Sequence, residues 1–312
     1  MILSVSRRTD IPAFYSEWFF NRIKAGFVLT RNPLNAKQVS KIDLSPEFID
    51  CIVFWTKNPQ PMLKRLHLLE QYRFYYQFTL NCYDKSIETK VPAKRHLIET
   101  FQELSRLIGK QKLVWRYDPI LLTDTFDKKY HYKWFEYLVQ RLHPYTEKCM
   151  ISFLDLYSKT ERNLKGMGLK ELSDREILDI AGQLSIIADR YGLPLETCAE
   201  SINLSKFHIS HGKCIDDRLI TKILGEKLDT GQDPNQRKAC GCVKSIDIGE
   251  YNTCRHNCLY CYANFNKNMV SKNIQRHNTK APLLIGQLAE DAKVTERLMQ
   301  SYRTRQPNLF DE

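Results

Sequence analysis

Short runs of apolar, β-branched and aromatic residues recur along the chain at 2–6, 27–30, 51–55, 74–79, 113–117, 149–154 and 193–197, with a last brief run at 245–248 that stops at Gly249. Their length and composition predict strands. Between them, the stretches 17–25, 62–69, 96–108, 133–142, 172–191 and 217–224 repeat apolar residues at helical spacing. Strands alternating with helices predict an α/β fold with a parallel sheet covered by helices. Eight candidate strands suit a (β/α) TIM-like barrel, full or partial, a fold of about 250 residues. No repeat and no linker-like stretch divides the chain, so 1–300 reads as one domain. A polar tail, 301–312, is expected to fray.

Hydrophobic residues make up 43% of the 312 and charged residues 27%, which excludes a disordered or collagen-like chain. The longest apolar runs, such as 51–55 and 150–154, fall far short of the roughly 20 residues that a membrane helix needs, so no membrane partner is expected. The apolar start is too short for a secretory signal. Arg7-Arg8 does not make a twin-arginine signal, because Asp10, Glu17, Arg22 and Lys24 break up the apolar stretch that such a signal needs. A cytoplasmic location is expected. Lysine and arginine exceed aspartate and glutamate by 47 − 36 = 11, a balance that attracts polyanions in general. The charge is spread out, with no basic arm, so a small anionic substrate and a nucleic acid both stay open as partners.

Active sites of such barrels gather at the C-terminal ends of the strands. Those ends carry Arg7, Arg8 and Asp10 after 2–6, Arg31 and Asn32 after 27–30, Lys57 and Asn58 after 51–55, and Arg116 with Asp118 at 113–117. Asp155 follows 149–154, and Cys198 with Glu200 follows 193–197. Arginines here clamp carboxylates or phosphates; the alternative is that Arg8–Asp10 and Arg116–Asp118 pair and order the rim. Arg7, Arg8, Asp10, Arg116 and Asp118 are the candidate catalytic positions. Asp155 and Glu200 are candidates for ligand contacts or proton transfer. Asn58 and Asn32 each precede a proline and equally serve turn chemistry. No G-x-S-x-G, H-E-x-x-H or P-loop is present.

Seven of the ten cysteines fall between 198 and 261. Cys51 and Cys149 open apolar runs and read as core thiols. Cys254, Cys258 and Cys261 lie within eight residues, and their thiolates can converge on one metal centre if the loop wraps round it. Zinc with His256 as fourth ligand, or an iron–sulfur cluster with one iron left open, would each use them. Cys198, Cys214, Cys240 and Cys242 number four, enough for a second, fully ligated [4Fe–4S] cluster or a closed zinc site; Gly241 lets its two neighbours bend together. His208 and His211 stand close by in sequence.

The C-x3-C-x2-C spacing with Tyr260 before the last cysteine resembles the radical S-adenosylmethionine (radical SAM) signature, and CRHNCLYCYAN is most similar to that of spore photoproduct lyase. That resemblance implies a [4Fe–4S] cluster on Cys254, Cys258 and Cys261, S-adenosylmethionine (SAM) on the open iron and a flavodoxin- or ferredoxin-type electron donor; Tyr260 of the motif, with Lys57, Asn58, Asp155 and Glu200 at the strand ends, are then the candidate cofactor contacts. Hydrogen-atom abstraction from an unknown substrate is the implied activity, with repair of a DNA lesion as an alternative. The strings SRRTDIPAFYSEW, RNPLNAKQVS, FWTKNP, WRYDPI, SFLDLY, TCAE and GKCIDD, with the cysteine loop at about 240–265, together resemble the DUF1848 family of uncharacterised bacterial proteins. The loop lies near the C-terminus, whereas radical SAM enzymes carry it after their first strand. A circular permutation of the barrel would account for this; an appended iron–sulfur domain is the other option, and a non-catalytic zinc or iron–sulfur nucleic-acid-binding protein is the rival function.

Overall fold

A computed structural model describes residues 1–155 and 158–304. Strand β1 (Ile2–Val5) is followed by α1 (Ile11–Phe14), α2 (Ser16–Ala25), β2 (Phe27–Asn32) and β3 (Asn35–Asp43). The chain continues through β4 (Cys51–Thr56), α3 (Gln60–Leu63), β5 (Phe74–Thr79), α4 (Lys94–Ile108), β6 (Leu113–Ile120), α5 (Lys128–Leu142) and β7 (Cys149–Phe153). Next come α6 (Ser158–Asn163), α7 (Asp174–Asp189), β8 (Leu195–Cys198), β9 (Ser210–Gly212) and α8 (Asp217–Leu224). Strand β10 (Ile246–Asp247), α9 (Lys267–Gln275) and β11 (Lys293–Glu296) complete the order.

Eight strands form one parallel sheet in the order β10-β1-β4-β5-β6-β7-β8-β9. Strand β10, the last of them in sequence, pairs with β1, the first, with Ser4 opposite Asp247. The sheet is open between β9 and β10, which have one neighbour each.

The predicted strand at 27–30 does not join this sheet. It pairs antiparallel with β3, and β11 adds to β3 to make a separate three-stranded sheet. The reason is local. Asn32 Oδ1 accepts the Leu34 N–H at 2.9 Å and turns the chain straight back, a connection suited to an antiparallel hairpin. Arg31 and Asn32 therefore leave the main sheet: Arg31 pairs with Glu250 at 2.9 Å, and Asn32 donates to Gln38 at 2.8 Å. The eighth place goes to β9, too short and too polar to signal itself in sequence.

Residues alternate between the two faces of the sheet, as the strand repeat requires. Leu3, Phe54, Tyr76, Trp115 and Ile151 look toward the helices. There they meet stripes such as Leu97, Phe101, Leu104 and Ile108 of α4, whose spacing puts them on one helix face. Truncating one of these buried aromatics to alanine would cost about 3–5 kcal/mol. On the other face Ile2, Val53, Tyr75, Val114 and Met150 pack against Cys214, Ile215, Leu219 and Ile220. Tyr75 Oη and Gln77 Nε2 both donate to the Cys214 carbonyl, at 2.6 and 2.9 Å. One face is thus helix-covered. The other is apolar near the strand starts and polar near the ends, where Ser4, Gln77, Arg116 and Ser152 stand.

Within the expected tail, residues 301–304 are packed: Tyr302 N–H donates to Asp50 at 2.7 Å, and Arg303 bridges to Leu228. Residues 305–312 lie outside those described. Among the described residues no helix is long and apolar enough to cross a membrane.

Candidate active site

A cavity of about 460 Å³ lies at the C-terminal ends of the main-sheet strands. Both cysteine groups line it: Cys254, Cys258 and Cys261 on one side, Cys198, Cys214, Cys240 and Cys242 on the other. Arg7, Arg8, Asp10, Lys57, Arg116, Asp118, Asp155 and Tyr260 line it too. Of the residues singled out from the sequence, Arg31, Asn32, Asn58, Glu200, His208 and His211 fall outside the lining. The Asn58 N–H donates to Thr56 Oγ1 at 2.9 Å at the head of α3, the turn role that Asn-Pro suggested. Glu200 Oε1 accepts the Phe153 N–H at 2.9 Å. Burial, with Asp155 and Asp118 adding to it, pushes the Glu200 carboxyl up to about 7.

The three-cysteine loop begins where β10 ends. A Cβ on Gly249 would meet Ser6 Oγ at 2.0 Å, so only glycine lets the chain pass β1 at this point. Asp247 fixes the junction by accepting from Ser4 Oγ at 2.8 Å, Ser6 Oγ at 2.5 Å and the Arg7 N–H at 2.8 Å. The neck of the loop is closed by the Asn252 N–H donating to the Ala263 carbonyl at 2.9 Å. Asn252 and Asn257 both adopt positive φ, a conformation that asparagine tolerates better than most residues. Tyr15 Oη donates to the Thr253 carbonyl at 2.6 Å, and the Lys90 N–H to the His256 carbonyl at 3.0 Å.

Asp10 anchors this loop from the β1 side. It is 5% exposed and accepts from the Ala13 N–H at 2.9 Å, Thr56 Oγ1 at 2.7 Å, the Lys57 N–H at 2.7 Å and His256 Nε2 at 2.8 Å. The expected Arg8–Asp10 pair is therefore absent among the described residues. A short carboxylate with four donors already around it is a fixed point that positions the loop. His256 Nδ1 is buried with no hydrogen-bond partner among the described residues.

Glu88, for which the sequence offered no cue, is the second hub. It is 1% exposed and pairs with Lys57 at 2.7 Å, with Lys94, and with Tyr260 Oη. Burial would raise its carboxyl, but Lys57 and Lys94 override this and hold it down at about 2. Burial likewise pulls on the Lys57 ammonium, and Glu88 more than offsets it. Tyr260 also accepts from Asn81 at 3.2 Å. Its hydroxyl is held inside the protein.

The arginines divide. Arg116 is paired with Asp118 and donates Nη1 to Cys214 Sγ at 2.8 Å, so the rim-ordering alternative holds for it. Asp118 also accepts from Ser152. Arg7 faces Asp233 at 3.7 Å and Asp247 at 3.9 Å. Asp155 is taken by Arg237. Arg8 has no carboxylate partner among the described residues; it reaches the Gly249 carbonyl at 3.4 Å and lies over the Tyr251 ring. It is the lining arginine best placed to receive an anionic group.

In the second cysteine group Cys198 Sγ and Cys214 Sγ are 2.8 Å apart, and Cys242 Sγ accepts the Ile215 N–H at 3.3 Å. Burial pushes the thiols of Cys254, Cys258 and Cys261 up. In the other group, hydrogen bonds from Cys214, and for Cys242 also from Cys240, pull Cys198 and Cys242 down toward the thiolate. Among the described residues no three His, Cys, Asp or Glu side chains stand with their donor atoms already set as around an ion.

A domain of unknown function, DUF1848, matches over residues 2–263. The chain belongs to the DUF1848 family. The matched span runs from β1 to the end of the cysteine loop, so it takes in the main sheet and both cysteine groups of this DUF1848 chain. No curated protein matches it. Among solved structures, a candidate alpha-L-fucosidase from Bacteroides thetaiotaomicron VPI-5482 is 12% identical, with 58% of this chain and 82% of that one covered at a TM-score of 0.24.

Proposed function

We propose that this DUF1848 protein is a radical SAM enzyme whose sheet is a partial (β/α) barrel, circularly permuted relative to the usual order. The observation that carries the reading is the position of the C-x3-C-x2-C loop. It directly follows β10, and β10 lies beside β1 at the head of the strand order, so the loop follows the first strand in space although it comes late in sequence.

The donor set suits a cluster with one open iron: one buried and two half-buried thiols on a wrapped loop, facing a cavity roomy enough for a small ligand. Cys254, Cys258 and Cys261 would hold a [4Fe–4S] cluster, which when bound delivers the electron that cleaves SAM to methionine and a 5′-deoxyadenosyl radical. The chain's own residues do the rest. Asp10 and His256 hold the loop against β1 and β4. Lys57, beside Cys258, places a cation near thiolates that must lose their protons, which favours their charged form. Arg8 offers a guanidinium for a carboxylate of SAM or of the substrate.

The orphan His256 Nδ1 favours a second reading, a closed Cys3His zinc site at the same loop. Anaerobic reconstitution with iron and sulfide, followed by dithionite and SAM, separates the two. The radical SAM reading expects iron and sulfide at the loop and 5′-deoxyadenosine; zinc there with no SAM cleavage overturns it.

A further inference from the structure

Cys198 stands at the end of β8, Cys214 lies just past β9, and Cys240 and Cys242 belong to the segment that leads into β10. These are the places where the main sheet fails to close. Ile215 connects the two sides: the Val243 N–H donates to its carbonyl at 3.2 Å, and its own N–H donates to Cys242 Sγ at 3.3 Å. Four buried or half-buried sulfurs line the cavity there, with Cys198 Sγ and Cys214 Sγ in contact at 2.8 Å. We infer that Cys198, Cys214, Cys240 and Cys242 bind one zinc ion that fastens the β9 side of the sheet to the segment entering β10.

Spacing chooses the single ion over a second cluster. Zinc–sulfur bonds of about 2.3 Å in a tetrahedron put the sulfurs about 3.8 Å apart. Cys198 Sγ and Cys214 Sγ are at 2.8 Å, so they need to separate by only about 1 Å. A cubane sets four irons and four sulfides between its ligand sulfurs and would have to force this pair far wider. The surroundings suit a dianionic tetrathiolate: Arg116 donates to Cys214 Sγ at 2.8 Å, and the Ile215 N–H donates to Cys242 Sγ at 3.3 Å. Such outer contacts orient and tune metal ligands. Binding replaces the remaining thiol protons with the ion and needs no electron, so it proceeds without SAM or reductant.

The test is independent of the radical chemistry. A Cys254→Ala, Cys258→Ala, Cys261→Ala protein should retain one zinc per chain by mass spectrometry. After the metal is stripped and Co2+ added, it should show the intense absorption of tetrahedral cobalt thiolate at one equivalent. Stripping zinc from the otherwise native protein should speed amide exchange at Ile215 and Val243 by roughly tenfold or more, because the opening loses its fastening. Iron and sulfide in that triple variant, or no bound zinc together with a pale octahedral cobalt spectrum, would overturn the assignment. Loss of 5′-deoxyadenosine alone in the triple variant would report on the other loop.

Discussion

Of the two cysteine groups that line the cavity, one lies on a single eight-residue loop, and the other gathers its sulfurs from three segments, with Cys198 Sγ and Cys214 Sγ 2.8 Å apart. The single loop is tied down by Asp10, Asn252 and Tyr15. The second group spans the opening of the sheet, between β9 and the segment entering β10. On the proposed reading, a metal on the single loop serves chemistry, whereas one across the seam between strand ends serves cohesion.

The largest expected effect separates the two groups outright. Cys258→Ala should reduce SAM cleavage to background while shifting stability by no more than about 1 kcal/mol. Cys240→Ser with Cys242→Ser should remove the zinc and cost on the order of several kcal/mol, since structural zinc sites supply folding energy directly. Melting curves and metal content of the two variants check this. Equal destabilisation by both would erase the distinction.

Lys57→Met should leave Glu88 with one cationic partner in place of two and cost about 3 kcal/mol. Hydrogen exchange should show loosening around 252–263 and not around 213–243; the reverse pattern would contradict the separate anchoring.

An acid response belonging to neither group sharpens the contrast. His131, buried under β6, interacts through its two ring nitrogens with the Tyr117 hydroxyl and the Leu121 carbonyl, each at 2.9 Å. Burial lowers its pKa from 6.5 to about 4. Its neutral form therefore contributes stability that is whole above about pH 6.5 and is lost as pH falls through 4, about 3 kcal/mol in all. His131→Gln should flatten that part of the pH–stability curve, and the loss should be the same in both cysteine variants.

The smallest effect concerns Arg8. Arg8→Ala should weaken SAM or substrate binding roughly tenfold or more, as for one lost charge-assisted hydrogen bond, with folding and both metal contents unchanged. Isothermal titration would show it; no change in affinity would remove Arg8 from the anion site.

Seven of the eight predicted strands joined the main sheet because each carries a dense apolar run that parallel pairing buries. Residues 27–30 looked the same locally, and only the Asn32 turn and the polar alternation of β3 marked them as a hairpin. Strand β9 was illegible, since Ser-His-Gly offers no apolar signal and pairs only because β8 precedes it. Arg7, Arg8, Asp10, Lys57, Arg116, Asp118 and Asp155 of the cavity lining were readable as strand-end polar residues, and its seven cysteines from their clustering. The acidic hubs were less visible. Glu88 lies in a loop with no local cue, and its role exists only through Lys57, Lys94 and Tyr260 from three separate segments. Asp247 had one faint cue, the glycine two residues on. The Arg116–Asp118 pairing was foreseen as an alternative, whereas Asp10 chose His256 over Arg8 across the whole length of the chain.

The central claim is tested most directly by anaerobic assay of the iron- and sulfide-reconstituted full chain with SAM and dithionite, with 5′-deoxyadenosine read by mass spectrometry. A radical SAM enzyme gives 5′-deoxyadenosine and methionine from the native chain and none from Cys258→Ala. Absence of both products from a protein carrying four irons at the 254–261 loop would contradict it.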